Sequence, residues 1–221
     1  MENRPLISRR RYVIAGGVLV ALTLALGVLI VLRDTVRLDE AWMSEVLEWR
    51  DPLGERISLV FDFLGGGWFA IFAVPLGVGA AFVLARRPWS ALVFVLVSAL
   101  TAVICQLLKA LFDRARPEQI LLPLDNGAFP SGHVANAAVI AVGLGLLLGR
   151  VWVWVLGALY VVAMSFSRTY LGAHWLTDTL GGALLGAGVA LLVWCLLLPR
   201  LRREPLPRGS GRGLPKEPAS T

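Results

Sequence analysis

Long apolar runs broken by short polar islands set the pattern of this chain. A helix needs about 20 apolar residues to cross a hydrocarbon core of about 30 Å, and the runs that approach this are Tyr12–Leu32, Trp68–Ala85, Trp89–Leu108, His133–Leu148, Val151–Phe166 and Asp178–Leu198. The fourth and fifth are short, with a hairpin at Gly149-Arg150 between them. A basic stretch precedes Tyr12, but the apolar run after it is long and lacks a small-residue cleavage site, so it reads as a retained first helix. The pattern therefore predicts an all-α, polytopic membrane bundle of six transmembrane helices. A basic cytoplasmic N-terminus would occupy 1–11, the bundle 12–198, and a disordered cytoplasmic tail rich in Pro, Gly and Arg 199–221. No internal repeat is visible.

A different period holds between the first two runs. In "LDEAWMSEVLEWRDP", Trp42, Val46 and Trp49 recur at i, i+4 and i+7, flanked by Met43 and Leu47. That is one apolar helical stripe, opposed by an acidic face of Asp39, Glu40, Glu45 and Glu48 and stopped at Pro52. It predicts a helix lying in the outer membrane interface or packed over the other helices. The glycines of "LGGGW", Leu64 to Trp68, predict a bend or a close helix approach.

Composition agrees with a membrane protein. The 221 residues are 57% hydrophobic and 16% charged, with a mean hydropathy of +0.73, more apolar surface than one soluble core of this length hides. The net charge of +6 is not a nucleic-acid footprint. With the N-terminus inside, Arg4, Arg9, Arg10, Arg11, Arg86, Arg87, Arg150, Arg200, Arg202, Arg203, Arg208, Arg212 and Lys216 all fall on the cytoplasmic side, a majority of the 21 Lys and Arg. This positive-inside bias places both termini in the cytoplasm. Cys105 and Cys195 lie within apolar runs and imply neither a disulfide framework nor a metal cluster.

This orientation brings three polar islands to the same outer, extracytoplasmic side: "KALFDRARP" (Lys109–Pro117), "PSGH" (Pro130–His133) and "SRTYLGAHWLTD" (Ser167–Asp178). Lys109, Arg116 and Arg168 stand at the ends of apolar helices, where an unpaired charge is costly. Their partner is an anion, either a ligand or a nearby carboxylate such as Asp113, Glu118 or Asp125. Ser131 and Gly132 open the fourth helix. Ser suits an N-cap, and a free helix N-terminus offers backbone N–H groups and the positive end of the macrodipole to an anion. His133 and His174 are the only two histidines. His174 and Asp178, four apart on one helix, share a face; a carboxylate on one ring nitrogen fixes the tautomer and leaves the other as a nucleophile. His133 would then be the opposing general acid. Three surrounding cations disfavour a dication, so no metal is expected. Asn136, one turn after His133, is expected to hydrogen bond across helices rather than line the pocket.

The order Lys109-x6-Arg116-Pro117, Pro130-Ser131-Gly132-His133 and Ser167-Arg168-x5-His174-x3-Asp178 resembles the three-part signature of the type 2 phosphatidic acid phosphatase superfamily. The resemblance implies metal-independent phosphatase chemistry with no cofactor. His174 would be the nucleophile, forming a phosphohistidine, and Asp178 its orienting partner. His133 would protonate the leaving group and later activate water, while Lys109, Arg116, Arg168, Ser131 and Gly132 would bind the phosphate. Soluble haloperoxidases and acid phosphatases share such a pocket, but the membrane layout points to a lipid phosphate in the outer leaflet of the plasma membrane. The candidates are a polyprenyl diphosphate such as undecaprenyl diphosphate, placed first, then phosphatidic acid and phosphatidylglycerol phosphate. The rival class is an anionic-lipid transporter or flippase that uses the same cations without chemistry. Against it, the charges crowd one end of the bundle instead of lining a midplane cavity.

Overall fold

The computed structural model describes residues 6–33, 36–124 and 127–205, and the regular structure in them is helical throughout. In chain order the helices are α1 (Leu6–Leu32), α2 (Arg37–Glu48), α3 (Pro52–Gly65), α4 (Val74–Leu84), α5 (Pro88–Phe112), α6 (Gly132–Leu148), α7 (Val151–Tyr170) and α8 (Leu176–Leu201), with a π-helical turn at Phe69–Ala73 leading into α4. Among the described residues four helices are long and apolar enough to cross a membrane: α1 from Arg9, α5, α7 and α8. A fifth candidate is α3 together with Phe69–Leu84, bent by 44°. The 17 residues of α6 are apolar but shorter. Large apolar side chains such as Leu84, Leu107, Leu111 and Val151 face outward, as in a chain whose solvent is hydrocarbon. The protein is a multi-pass membrane protein.

Two expected boundaries move. The second apolar run does not start at Trp68, because a helix begins upstream at Pro52, where Asp51 caps it by accepting from Leu53 N (2.7 Å) and Gly54 N (2.9 Å). Glu55, Arg56 and Asp62 interrupt the apolar pattern there and hide α3 from a hydropathy reading. At the other end, α8 runs through Pro199 to Leu201, and the Glu204 carboxylate caps α5, accepting from Trp89 N, Ser90 N (3.1 Å) and Ser90 Oγ (2.5 Å). The rest of the predicted tail, 206–221, lies outside the described residues.

The amphipathic helix α2 packs over the bundle rather than lying free. Met43 and Val46 are buried, and Trp42 stacks edge-on against Phe166 of α7. Trp49, assigned to the apolar stripe, is half-exposed. Asp39, assigned to the acidic outer face, is instead buried, since it accepts from Thr177 N (2.8 Å) and Thr177 Oγ1 (2.6 Å) at the start of α8.

The core sits between α5, α6 and α8, where Phe94, Val97, Val139, Leu185 and Val189 close on one another. Gly182 lets α8 press against the start of α6: a Cβ there would lie 2.4 Å from Ser131 O. This contact holds the "PSGH" turn beside the first turn of α8, with Ser131 N donating to Asp178 O at 2.9 Å.

Candidate active site

The three polar islands meet at one end of the bundle. Lys109 comes from the last turn of α5, Arg116 from the loop after it, Gly132 and His133 from the first turn of α6, Arg168 from the last turn of α7, and His174 from the turn into α8. All six line one cavity of about 500 Å³. From these groups the cavity runs between α4 and α5, past Ile71, Pro75, Leu76, Ala99 and Val103. It has a polar head and an apolar body.

Every described site residue predicted from the sequence is in or beside this cavity. Arg168 is fully buried and gives Nη1 to the carboxylate of Asp62. Its Nε and Nη2, the side-on edge suited to a bidentate oxyanion, are buried without a partner. Lys109 Nζ donates to Gly127 O at 2.5 Å, and Arg116 donates to Ala173 O and, at 3.3 Å, to Gly127 O. Asp62, not a neighbour in sequence, is the carboxylate on Arg168. Asp125, one of the expected local partners, lies outside the described residues.

Ser131 stands at the N-cap position of α6 but makes no side-chain cap bond. Its Oγ is buried and unpartnered, so the turn spends this hydroxyl on neither its own helix nor a neighbour. Asn136 does both things weighed for it: Nδ2 donates to Ala70 O at 3.4 Å across helices, and the side chain lines the cavity.

His174 Nδ1 lies 3.6 Å from Asp178 Oδ2, just beyond hydrogen-bond length, as catalytic contacts often do before substrate binds. Asp178 is itself held from behind. Its Oδ2 accepts from Trp175 N (2.8 Å) and its Oδ1 from Arg114 Nη1 (2.5 Å). Arg114 in turn gives Nη2 to Asp39 Oδ2 at 2.7 Å. Burial holds the His174 imidazole well below the usual histidine range, and the cations Arg168, Lys109 and Arg116 push the same way. It is a neutral base at physiological pH.

Three of these residues are not among those the sequence pattern singles out for the site: Arg114, Asp39 and Asp62. Arg114 lay inside the first island without a role. Asp39 carried no usable signal, because its partners are far along the chain. Asp62 did carry one: a single acid within "ISLVFDFL" is an ionisable group in an apolar helix, which requires a partner.

A family model described as the PAP2 superfamily matches residues 90–202. Phosphatidylglycerophosphatase B of Bacillus subtilis (strain 168) is 28% identical over 165 residues, covering 70% of this chain and 81% of that protein. Undecaprenyl-diphosphatase of Sulfolobus acidocaldarius is 38% identical over 82 residues, 37% of this chain and 39% of that protein. The crystal structure of a transmembrane PAP2-type phosphatidylglycerolphosphate phosphatase from Bacillus subtilis superposes with a TM-score of 0.73 at 28% identity, covering 80% of this chain and 93% of that one.

Proposed function

The chain belongs to the PAP2 superfamily, and on that premise we propose that it is a membrane lipid phosphatase acting through a phosphohistidine at His174. The observation that carries this reading is the set of buried polar atoms without partners, Arg168 Nε and Nη2 and Ser131 Oγ, in a site that holds both histidines. Leaving such donors unmatched costs roughly 1–3 kcal/mol each. A phosphate group would satisfy them, and an apolar groove beside it would take a lipid tail.

With Asp178 on the Nδ1 side, His174 Nε2 is the nitrogen that attacks phosphorus. The N–P bond forms as the P–O bond to the lipid breaks, and His133 gives its proton to the departing oxygen. Lys109, Arg116, Arg168, Ser131 Oγ and the Gly132 N–H hold the phosphoryl oxygens and stabilise the charge that builds on them. Water then attacks phosphorus, His133 takes its proton, and the N–P bond breaks to free neutral His174. No residue role requires a metal ion.

The reading includes six spans, with α6 as the short one in the bundle, both termini cytoplasmic and the site extracytoplasmic. This follows the distribution of Arg and Lys. On the substrate, similarity along most of the chain is to a phosphatidylglycerophosphatase, whereas the undecaprenyl-diphosphatase matches over 82 residues. This moves phosphatidylglycerol phosphate ahead of polyprenyl diphosphate and phosphatidic acid.

The test is phosphate release by the purified protein in detergent with EDTA, across those three lipids and a water-soluble phosphate ester. Wild type is expected to release phosphate, fastest from phosphatidylglycerol phosphate, and His174→Ala to lose at least about 10⁴-fold in kcat. A folded wild-type protein that moves lipid between leaflets of a vesicle and releases no phosphate would establish the transporter reading instead.

A further inference from the structure

The family signature accounts for one histidine–carboxylate pair. The structure contains a second. Asp62, near the end of α3, places Oδ1 at 3.2 Å from His133 Nε2, and its own backbone carbonyl also lies 3.2 Å from that nitrogen. Both neighbours are acceptors, so Nε2 carries the proton and Nδ1 is the nitrogen left to exchange one. The same carboxylate oxygen accepts from Arg168 Nη1, and this turns the free Nε and Nη2 edge of Arg168 away from Asp62. One carboxylate therefore sets the orientation of two residues of the site.

We propose that Asp62 is a positioning residue for phosphoryl transfer, holding His133 by Nε2 so that Nδ1 passes the proton, and holding Arg168 by Nη1 so that its other edge meets phosphate. This rests on the phosphatase reading above. In the first step the His133 imidazolium loses its Nδ1 proton to the departing lipid oxygen while Nε2–H stays on Asp62. In the second, Nδ1 takes a proton from the water that attacks phosphorus, and the carboxylate stabilises the imidazolium that forms. Asp62 touches no reacting atom; it acts through His133 and Arg168. Its place at the close of α3 explains why Gly66 follows so closely. A Cβ at Gly66 would lie 2.1 Å from His133 Nε2, so only glycine lets the backbone approach the ring this near.

An acid that protonates a leaving group matters most when that group leaves poorly. Dodecyl phosphate, an alkyl ester, needs the proton; para-nitrophenyl phosphate, an aryl ester with a good leaving group, needs it far less. The experiment measures kcat/KM for both esters with wild type, Asp62→Asn and Asp62→Glu in detergent. Loss of the hold on Arg168 lowers both substrates together, whereas loss of the hold on His133 lowers only the alkyl ester. For Asp62→Asn the alkyl-to-aryl ratio is expected to fall at least about 10-fold, within the range of general acid catalysis. Asp62→Glu, which keeps the charge, is expected to recover most of that ratio. If Asp62→Asn does not fold, a ratio for Asp62→Glu within about threefold of wild type supports the proposal and a fall of the size expected for Asn overturns it. An unchanged ratio in folded Asp62→Asn, or a ratio lost equally in Asn and Glu, also overturns it. Wild type inactive on both esters and on all three lipids is a different failure, that of the phosphatase reading itself, and the proposal falls with it.

Discussion

The two histidine–carboxylate pairs of the site are built on opposite principles. His174 and Asp178 are buried, with side-chain exposures of 3% and 0%, and behind them the chain Asp178–Arg114–Asp39 reaches through α8 and the α5–α6 loop into α2. His133 and Asp62 are 20% and 32% exposed. His133 lines the cavity beside Gly65, Gly66 and Gly67, where α3 ends at Gly65 and the chain bends into the π-helical turn, and Asp62 lies one turn back on α3. The pairs also use opposite nitrogens, Nδ1 of His174 and Nε2 of His133. A nucleophile must present one atom to phosphorus with little freedom, and misplacement by about 1 Å can cost about 100-fold. The acid must reach a leaving group attached to a tail that enters and departs. The site puts its rigid pair deep in the bundle and its accessible pair on the side open to the groove.

The strongest way to break this contrast is to remove the brace behind the nucleophile. Arg114 lies between two buried carboxylates, its side chain 10% exposed beside 2% for Asp39 and 0% for Asp178. Arg114→Gln strands both, and breaking a buried ion pair on one side costs about 3–5 kcal/mol. The expected outcome is a large fall in the apparent melting temperature in detergent. Adding Asp39→Asn to Arg114→Gln should return part of it, since one stranded charge is gone. A double mutant no more stable than Arg114→Gln would show that Asp39 and Arg114 are not coupled.

Gly66→Ala perturbs the other pair alone. The added methyl collides with His133 Nε2, and either the ring leaves Asp62 or the α3 end moves back. We expect kcat/KM on dodecyl phosphate to fall about 10- to 100-fold with little change in melting temperature. The matched control is Gly77→Ala in α4, where a Cβ meets nothing within 4 Å and activity should hold. Equal activity of the two variants would remove the basis for a closely packed acid side.

These contrasts follow from what a linear sequence can and cannot express. His174 and Asp178 were legible as a pair four apart, but not for the reason expected: α8 starts at Leu176, so His174 is in the turn before the helix rather than on it, and it is this turn that brings Nδ1 to 3.6 Å from Asp178 Oδ2. The cations were legible because Lys109 and Arg168 stand in the last turns of apolar helices and Arg116 in the loop just after one, where charge needs a reason. Arg114, Asp39 and Asp62 depend on tertiary pairing instead. Arg114 joins carboxylates 64 and 75 residues away, and Asp62 joins partners 71 and 106 residues away. No local period encodes such distances. Asp39 was misplaced for the same reason: on a helical wheel it belongs with Glu40, Glu45 and Glu48, and only the approach of Thr177 and Arg114 turns it inward. The helix α3 was missed because the charge that serves the site, Asp62, is also what interrupts its apolar run.

The smallest expected effect concerns the charge state of the buried pair. Burial, reinforced by Arg168, Lys109 and Arg116, lowers the His174 proton affinity in the folded protein, while an unfolded histidine titrates near about 6.5. Between these two values the unfolded chain holds a proton that the folded one does not. Stability therefore rises with pH across that window and is lost as pH falls below about 6.5, at a slope approaching 1.4 kcal/mol per pH unit until the folded group also titrates. From about pH 6.5 to 5.5 that slope bounds the loss to a few degrees in melting temperature for a chain of this size. His174→Gln removes the titration and keeps a polar side chain. The difference in melting temperature between wild type and His174→Gln should therefore shift within that bound between pH 7.5 and 5.5, with wild type losing more. A bound phosphate analogue should shrink the shift, because a dianion offsets the cations that repel the imidazolium. Parallel melting curves for the two proteins across this range would mean that His174 is more solvated, and its pair with Asp178 less rigidly enclosed, than the contrast with His133 requires.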